Sequence, residues 1–386
     1  MKRRFLITIT ENIIKILYQK LVCKLMLFLM LFLIFLLLVA SYEFYFGLNK
    51  NYRLIIIMPV IYILYFLAGF NITSPDYINY VDMINGIGGI NEFFDTKNMD
   101  YKEPVFSLLI VFLNSLFDDV QIVYSFISLL SISITVYVLF KRSPLLFLSM
   151  ALYFAHPYLN KEVIQIRAGL ATAFVLLGAS FLMDKKKKSS YLSFLLAVGS
   201  HFSAIIVIVP LIVIKFIGRK KIVKFVLFSL VLCLYLNMIS FHKILFDILL
   251  GYEILPPAVA GYINWDEYNY SLGLMNPMLI KLLFILFVIH VYFRQSILEN
   301  NLVYVSYVFL SFSACWLILF ADIAIFAARI TSITSVLELI IIPYIIFHLK
   351  LKPRIQFFPA VLYCFIMLFI NIYIKKMLDG FSFGIL

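Results

Sequence analysis

Charge is scarce in this chain. Only 13% of its 386 residues are Asp, Glu, Lys or Arg, while 64% are apolar; soluble domains carry about twice that charge. No polar stretch is long enough to fold as a separate soluble domain, so a single membrane domain over residues 1–386 is the economical reading. Cysteine is scarce too. The four present (Cys23, Cys233, Cys315 and Cys364) all sit in apolar runs without metal-ligand spacing, and read as small buried hydrophobes. Also missing are an Asp-x-Asp pair, a metal-spaced histidine cluster, a nucleotide-binding loop, a Gly-rich dinucleotide fingerprint and a Gly-x-Ser-x-Gly elbow. An enzyme built on this chain would need no metal or cofactor and would take a preactivated substrate from the membrane itself. No heptads and no internal duplication are visible, which counts against a transporter made of inverted repeats.

What is present is a succession of apolar runs, each near the roughly 20 residues that cross a bilayer core. They cover 23–46, 54–70, 104–117, 120–140, 144–159, 165–183, 191–216, 225–241, 278–293, 302–320, 324–347 and 355–374. The fold class expected is therefore all-α, a polytopic membrane protein of about 10–12 helices, some short or re-entrant. The net charge of +12 comes from short basic blocks between spans, at 185–188, 218–224, 293–295 and 348–354. That is a positive-inside pattern and not a nucleic-acid signal. The basic lead-in 1–20 is expected to stay on the cytoplasmic side, uncleaved, because the apolar run after it is too long for a signal peptide.

Those blocks place 242–278 outside, and the acidity of 76–103 makes 71–103 look external too, giving two larger periplasmic segments. Residues 191–216 must leave and return to one side within about 26 residues, too few for two full spans. They read as two short helices with "GSHFS" (199–203) at the apex. In the first third, an external 76–103 and an internal Lys141–Arg142 conflict if 104–117 and 120–140 each cross once. One apolar run there is partial, either 104–117 or part of 21–46.

The unusual polar residues gather toward the external side. Arg167 and Arg329 each start a span beside small neighbours, Ala168 and Gly169 in one case, Ala327 and Ala328 in the other. Two guanidiniums on that side run against the positive-inside bias, and their fork geometry suits phosphate. The bland alternative is a buried pair with Glu162, Asp322 or Glu338. His201 sits at the hairpin apex, where an imidazole can take up a proton near neutral pH; a structural, hydrogen-bonded histidine is the competing reading. Glu338, mid-span, reads as structural or as part of a polar network. The second external segment sets Tyr262, Trp265 and Tyr268 among carboxylates, which suits sugar rings and equally an interfacial aromatic belt.

The blocks "SPDYINY" (74–80), "EPVFSLL" (103–109), "IRAGLATAFVLLGAS" (166–180), "HFSAIIVI" (201–208) and "ARITSITSVLELIIIP" (328–343) resemble, in this order, the EpsG-like and Wzy-type polysaccharide polymerases. Many relatives carry Gln directly after the first arginine, where this chain has Ala168. The resemblance implies a bacterial inner-membrane glycosyltransferase whose site faces the periplasm. Its substrate would be an undecaprenyl-pyrophosphate-linked oligosaccharide in the bilayer, with a chain-length regulator as a further partner. The product would be a surface polysaccharide, O-antigen being preferred over capsule or exopolysaccharide. On this reading Arg167 and Arg329 hold the pyrophosphates. His201 is the first choice of base, with Asp76 or Glu103 behind it; Tyr77, Tyr80 and the aromatics Tyr262, Trp265 and Tyr268 hold sugars. A flippase for the same lipid and a membrane acyltransferase are the alternatives.

Overall fold

A computed structural model describes residues 2–87, 103–252, 270–349, 351–375 and 377. Among these, eight helices are long and apolar enough to cross a membrane: Lys24–Phe46, Lys50–Gly69, Val120–Arg142, Ile166–Met183, Arg219–Met238, Asn301–Leu319, Ala324–His348 and Ile355–Ile374. Three shorter apolar helices, Pro104–Asn114, Phe202–Phe216 and Pro277–Tyr292, complete the set. The all-α, multi-pass architecture expected from the apolar runs is the one observed. Lipid-facing surfaces carry exposed Leu, Ile and Phe, as on the mostly unburied Arg219–Met238 helix. The Ile166–Met183 and Asn301–Leu319 helices run through the centre, each 72% buried. Small residues along the first of them (Ala168, Gly169, Ala171, Ala173, Gly178, Ala179) let its neighbours approach closely.

Polar contacts define one end of the bundle as basic. Lys141 and Arg142 both pair with Asp184 at 2.6 Å. Asn301 donates to the Met183 carbonyl, and Arg219 to that of Leu298. At the same end Arg53 bridges Glu43 at 2.8 Å and the Pro144 carbonyl at 2.7 Å. Residue 46 therefore lies at the basic end. A helix of 23 residues is about 35 Å long, so Lys24 lies at the opposite end. The backbone of 2–23 continues that helix, so the expected placement of 1–20 on the same side as the basic loops does not follow from this direction.

The conflict in the first third resolves at Pro104–Asn114. That helix has 11 residues, about 16 Å, roughly half the hydrocarbon thickness. It does not cross. Asn114 ties its C-terminal end to the carbonyls of Ile84 and Ile87, and Gln121 at the start of the next span bonds to Tyr77 and to the Gly69 carbonyl. Gln121 therefore stands at the end where Gly69 leaves, and Val120–Arg142 runs back to the basic end.

The hairpin at 191–216 is also as the spacing requires. A 14-residue helix, Lys187–Ser200, rises from the basic end, about 21 Å long. His201 breaks it with an extended backbone (φ −158°, ψ 118°), and a 3-10 turn, Phe202–Val207, leads into the descending Ile208–Phe216. The apex thus sits about two-thirds of the way through a 30 Å core. His201 is recessed, not at the surface.

Candidate active site

Four separate segments meet at that apex. Glu103 caps the Pro104–Asn114 helix through its backbone carbonyl, which accepts from Ser107; Pro104 at the first helical position costs no hydrogen bond there. The Glu103 side chain does no capping and points instead into the bundle. One oxygen accepts from His201 Nδ1 at 2.6 Å, the other from Arg167 Nη1 at 2.9 Å. The Phe202 amide donates to the first oxygen as well, at 3.4 Å. Glu103 is thus the hub of a histidine–carboxylate–arginine chain drawn from positions 98 and 64 residues apart.

Close packing makes this possible. A Cβ on Gly199 would lie 2.3 Å from Val105 Cγ2, so only glycine lets the Pro104–Asn114 helix press against the helix that ends at His201. Gly169 plays a similar part: a Cβ there would meet the Lys161 carbonyl at 2.6 Å. That lets the turn before the Ile166–Met183 helix fold tightly onto Arg167's own first turn.

Arg167 rests on the ring of Tyr80, its guanidinium carbon 5.6 Å from the centroid. Tyr80 is only 3% exposed and packs against Phe106 and Tyr124. Its ring backs the guanidinium and offers no free face to a sugar. Tyr77 is half-buried, with its hydroxyl on Gln121. Asp76 stands at the start of the Tyr77–Gly86 helix without capping it, and both Arg329 and Arg167 act on its carboxylate. The Ala324–Thr334 helix that carries Arg329 packs on the Arg167 helix and on the turn after His201. Tyr262, Trp265 and Tyr268 lie outside the described residues.

Electrostatics divides the two carboxylates. Burial pushes both up. At Asp76 burial prevails over the two arginines, and the carboxyl titrates above the ordinary aspartate range. At Glu103 burial is outweighed by the hydrogen bond from His201 and the Arg167 charge, and the carboxyl is held below the ordinary range. An ionised Glu103 fixes the imidazole: Nδ1 carries the proton donated to the carboxylate, leaving the Nε2 lone pair as the basic one. The side chains keep access, with Arg167 33% and His201 21% exposed.

The alternative partners anticipated for the arginines are engaged elsewhere. Arg167 pairs with Glu103, not with Glu162, Asp322 or Glu338. Glu162 accepts from the Tyr153 hydroxyl, Asp322 faces His242 and Ser271, and Glu338 binds Lys281 and His156. Glu338 thus belongs to a polar network. Among the described residues no three His, Cys, Asp or Glu side chains gather as a metal site.

A multi-pass helical membrane protein with an ionised histidine–carboxylate–arginine cluster recessed at one end is the class these features define. The chain belongs to the EpsG family, whose sequence pattern matches residues 54–384. It is similar to the amylovoran biosynthesis protein AmsC of Erwinia amylovora, with 30% identity over 230 residues. That alignment covers 58% of this chain and 60% of the relative, less than two thirds of either. No solved structure matches the chain.

Proposed function

We propose that this protein polymerises lipid-linked oligosaccharide repeat units into a surface polysaccharide. The donor is a glycan on undecaprenyl pyrophosphate, the acceptor a sugar hydroxyl on a second lipid-linked unit, and the site faces the periplasm across the inner membrane. Family membership and the name of the relative support polysaccharide synthesis. The observation that carries the mechanism is Glu103 bridging His201 and Arg167, with the charges of Arg167 and Arg329 both acting on Asp76.

In this reading the acceptor hydroxyl gives its proton to His201 Nε2 while Glu103 holds the ring and stabilises the imidazolium that forms. The acceptor oxygen bonds to the anomeric carbon, and the bond from that carbon to the pyrophosphate oxygen breaks. Its electron pair leaves on the pyrophosphate, where Arg167 and Arg329 meet the developing charge. Removing one such positioned donor from a dry site costs about 10²–10³-fold in rate. Asp76, less acidic than an ordinary aspartate, is the second candidate for the proton. Tyr77 is placed to contact a sugar; Tyr80 supports Arg167. A chain-length regulator remains a partner of the proposed reaction, and the polysaccharide class, O-antigen included, is set by the donor.

The test is genetic. Deleting the gene should leave single repeat units on the surface and abolish the ladder of longer chains on a gel. Arg167→Ala and Arg329→Ala should each reproduce that pattern at normal protein level. Loss of every surface repeat unit would favour a flippase, and an intact ladder in either variant would remove that arginine from the reaction.

A further inference from the structure

Apart from the ionised cluster, the bundle holds a cavity that is almost wholly apolar. It encloses about 290 Å³ between three helices. Val209 and Val213 of Ile208–Phe216, Phe225 and Val226 of Arg219–Met238, and Val308 and Trp316 of Asn301–Leu319 form its walls. Among the described residues no Asp, Glu, His, Lys or Arg lines it. Its two hydroxyls are spent within their own helices, Ser229 donating to the Phe225 carbonyl at 2.9 Å and Ser311 to that of Tyr307 at 2.6 Å. Such a wall offers water little. An apolar cavity of about 150 Å³ stays dry and takes one benzene, so this groove has room for about two groups of isoprene size.

The groove leads to the proposed active site. Asn301 marks the basic end of its helix; Val308 lies about 10 Å and Leu319 about 27 Å further along. The groove thus climbs from about a third of the way up to the end that holds the cluster. Ile208–Phe216 follows directly on the turn after His201, so Val209 is eight residues beyond that imidazole. At the upper end Trp316 packs on Phe326 with ring centroids 5.3 Å apart. Arg329 stands three residues beyond Phe326, a neighbour on the same helix face. An apolar slot that ends at a histidine–arginine cluster complements an amphiphile with an anionic head and a single hydrocarbon chain.

We propose that this groove seats the isoprenoid chain of a lipid-linked substrate while its diphosphate meets the arginines. The identity of the headgroup rests on the polymerase reading. Phe225, Phe312 and Trp316 present aromatic rings, and Cys233 and Cys315 present polarisable sulfur, to the occupant. These groups favour the double bonds and branch methyls of an isoprenoid over a straight saturated chain. The outer wall faces lipid, since Arg219–Met238 is only 17% buried, and Val209 at the rim is 37% exposed. The chain enters sideways from the bilayer.

Photolabelling of the full-length chain in lipid nanodiscs tests this, with a farnesyl diphosphate that carries a diazirine at the end of its chain. The label should map to 225–233 and 308–319. Unmodified farnesyl diphosphate should displace it at least tenfold better than a saturated alkyl diphosphate of the same main-chain length. Ser229→Phe fills the groove and should lower the label at least tenfold. Val231→Phe, the same bulk on the lipid-facing side of that helix (66% exposed), should keep it. If Ser229→Phe does not fold, the map in the wild type decides alone. Label spread evenly over the lipid-facing helices overturns the proposal. So does displacement by phosphatidylglycerol as good as that by farnesyl diphosphate, which would make the groove a seat for bilayer lipid. Equal displacement by the saturated analogue overturns the isoprenoid assignment. Unchanged glycan length on gene deletion with a persisting label sinks the polymerase reading and leaves the groove; a lost ladder with no groove label sinks the groove alone.

Discussion

A carboxylate in this protein is defined by what faces it, and Glu103 and Asp76 show the two outcomes. Glu103 titrates below its ordinary range, so the stability it contributes is complete above about pH 4.3 and is lost as pH falls through its lower folded value. Asp76 has the opposite sign. Its folded value is raised, so ionising it costs stability as pH rises from about 3.9 through that value. Thermal unfolding in detergent should separate them. Glu103→Gln should lie below the wild type at neutral pH and converge on it in acid, whereas Asp76→Asn should gain on the wild type as pH rises. Both should lose polymerisation, Asp76→Asn because a strained charge at neutral pH is the kind retained for function and not for stability, Glu103→Gln because His201 loses the carboxylate that orients its ring. His201→Ala should lower activity by about 10²-fold or more, while Glu103→Gln should also shift the acid limb of the pH–rate profile, because the imidazole loses its charged partner.

At the scale of elements, the site depends on helices that stop short. Pro104–Asn114 and the two arms of the 187–216 hairpin end inside the bundle, and their ends supply Glu103 and His201. The pair meets only because Gly199 has no side chain opposite Val105. Gly199→Ala should force the two helices apart, with a cost of about 1–3 kcal/mol for overpacking and a loss of polymer out of proportion to it. The double variant Gly199→Ala/Val105→Ala should recover most of both, because the added methyl then fills the space the valine leaves. Failure of Val105→Ala to restore the ladder would mean that Gly199 serves something other than this approach.

For the whole molecule, the two ends of the bundle differ in kind. One collects Lys141, Arg142, Lys185–Lys188 and Arg219; the other holds the ionised cluster. The proposed orientation follows the positive-inside rule, which would set the cluster's end outside the cytoplasm. In a cysteine-free background, Asn79→Cys should react with a membrane-impermeant maleimide in intact cells, and Lys187→Cys only after lysis. Both positions are exposed and lie at opposite ends. The reverse labelling would put the proposed site in the cytoplasm and detach it from a substrate presented outside.

The sequence by itself determined the membrane class, most of the spans, the break at His201 and the two arginines. These are properties of composition and short-range spacing: an apolar run of given length, a basic block at its end, a charge where lipid offers it nothing. Tertiary structure decided which partners those residues have. That Arg167 meets Glu103 and not Glu162, that Tyr80 lies under a guanidinium, and that Pro104–Asn114 turns back all depend on contacts between residues far apart in the chain. The partners of Glu338 were equally invisible, because His156 and Lys281 come from separate segments and no local pattern relates them to it. In a bundle whose every helix is apolar, periodicity says that a segment is buried but not against what, and a charge acquires its function only from the neighbour that packing brings to it.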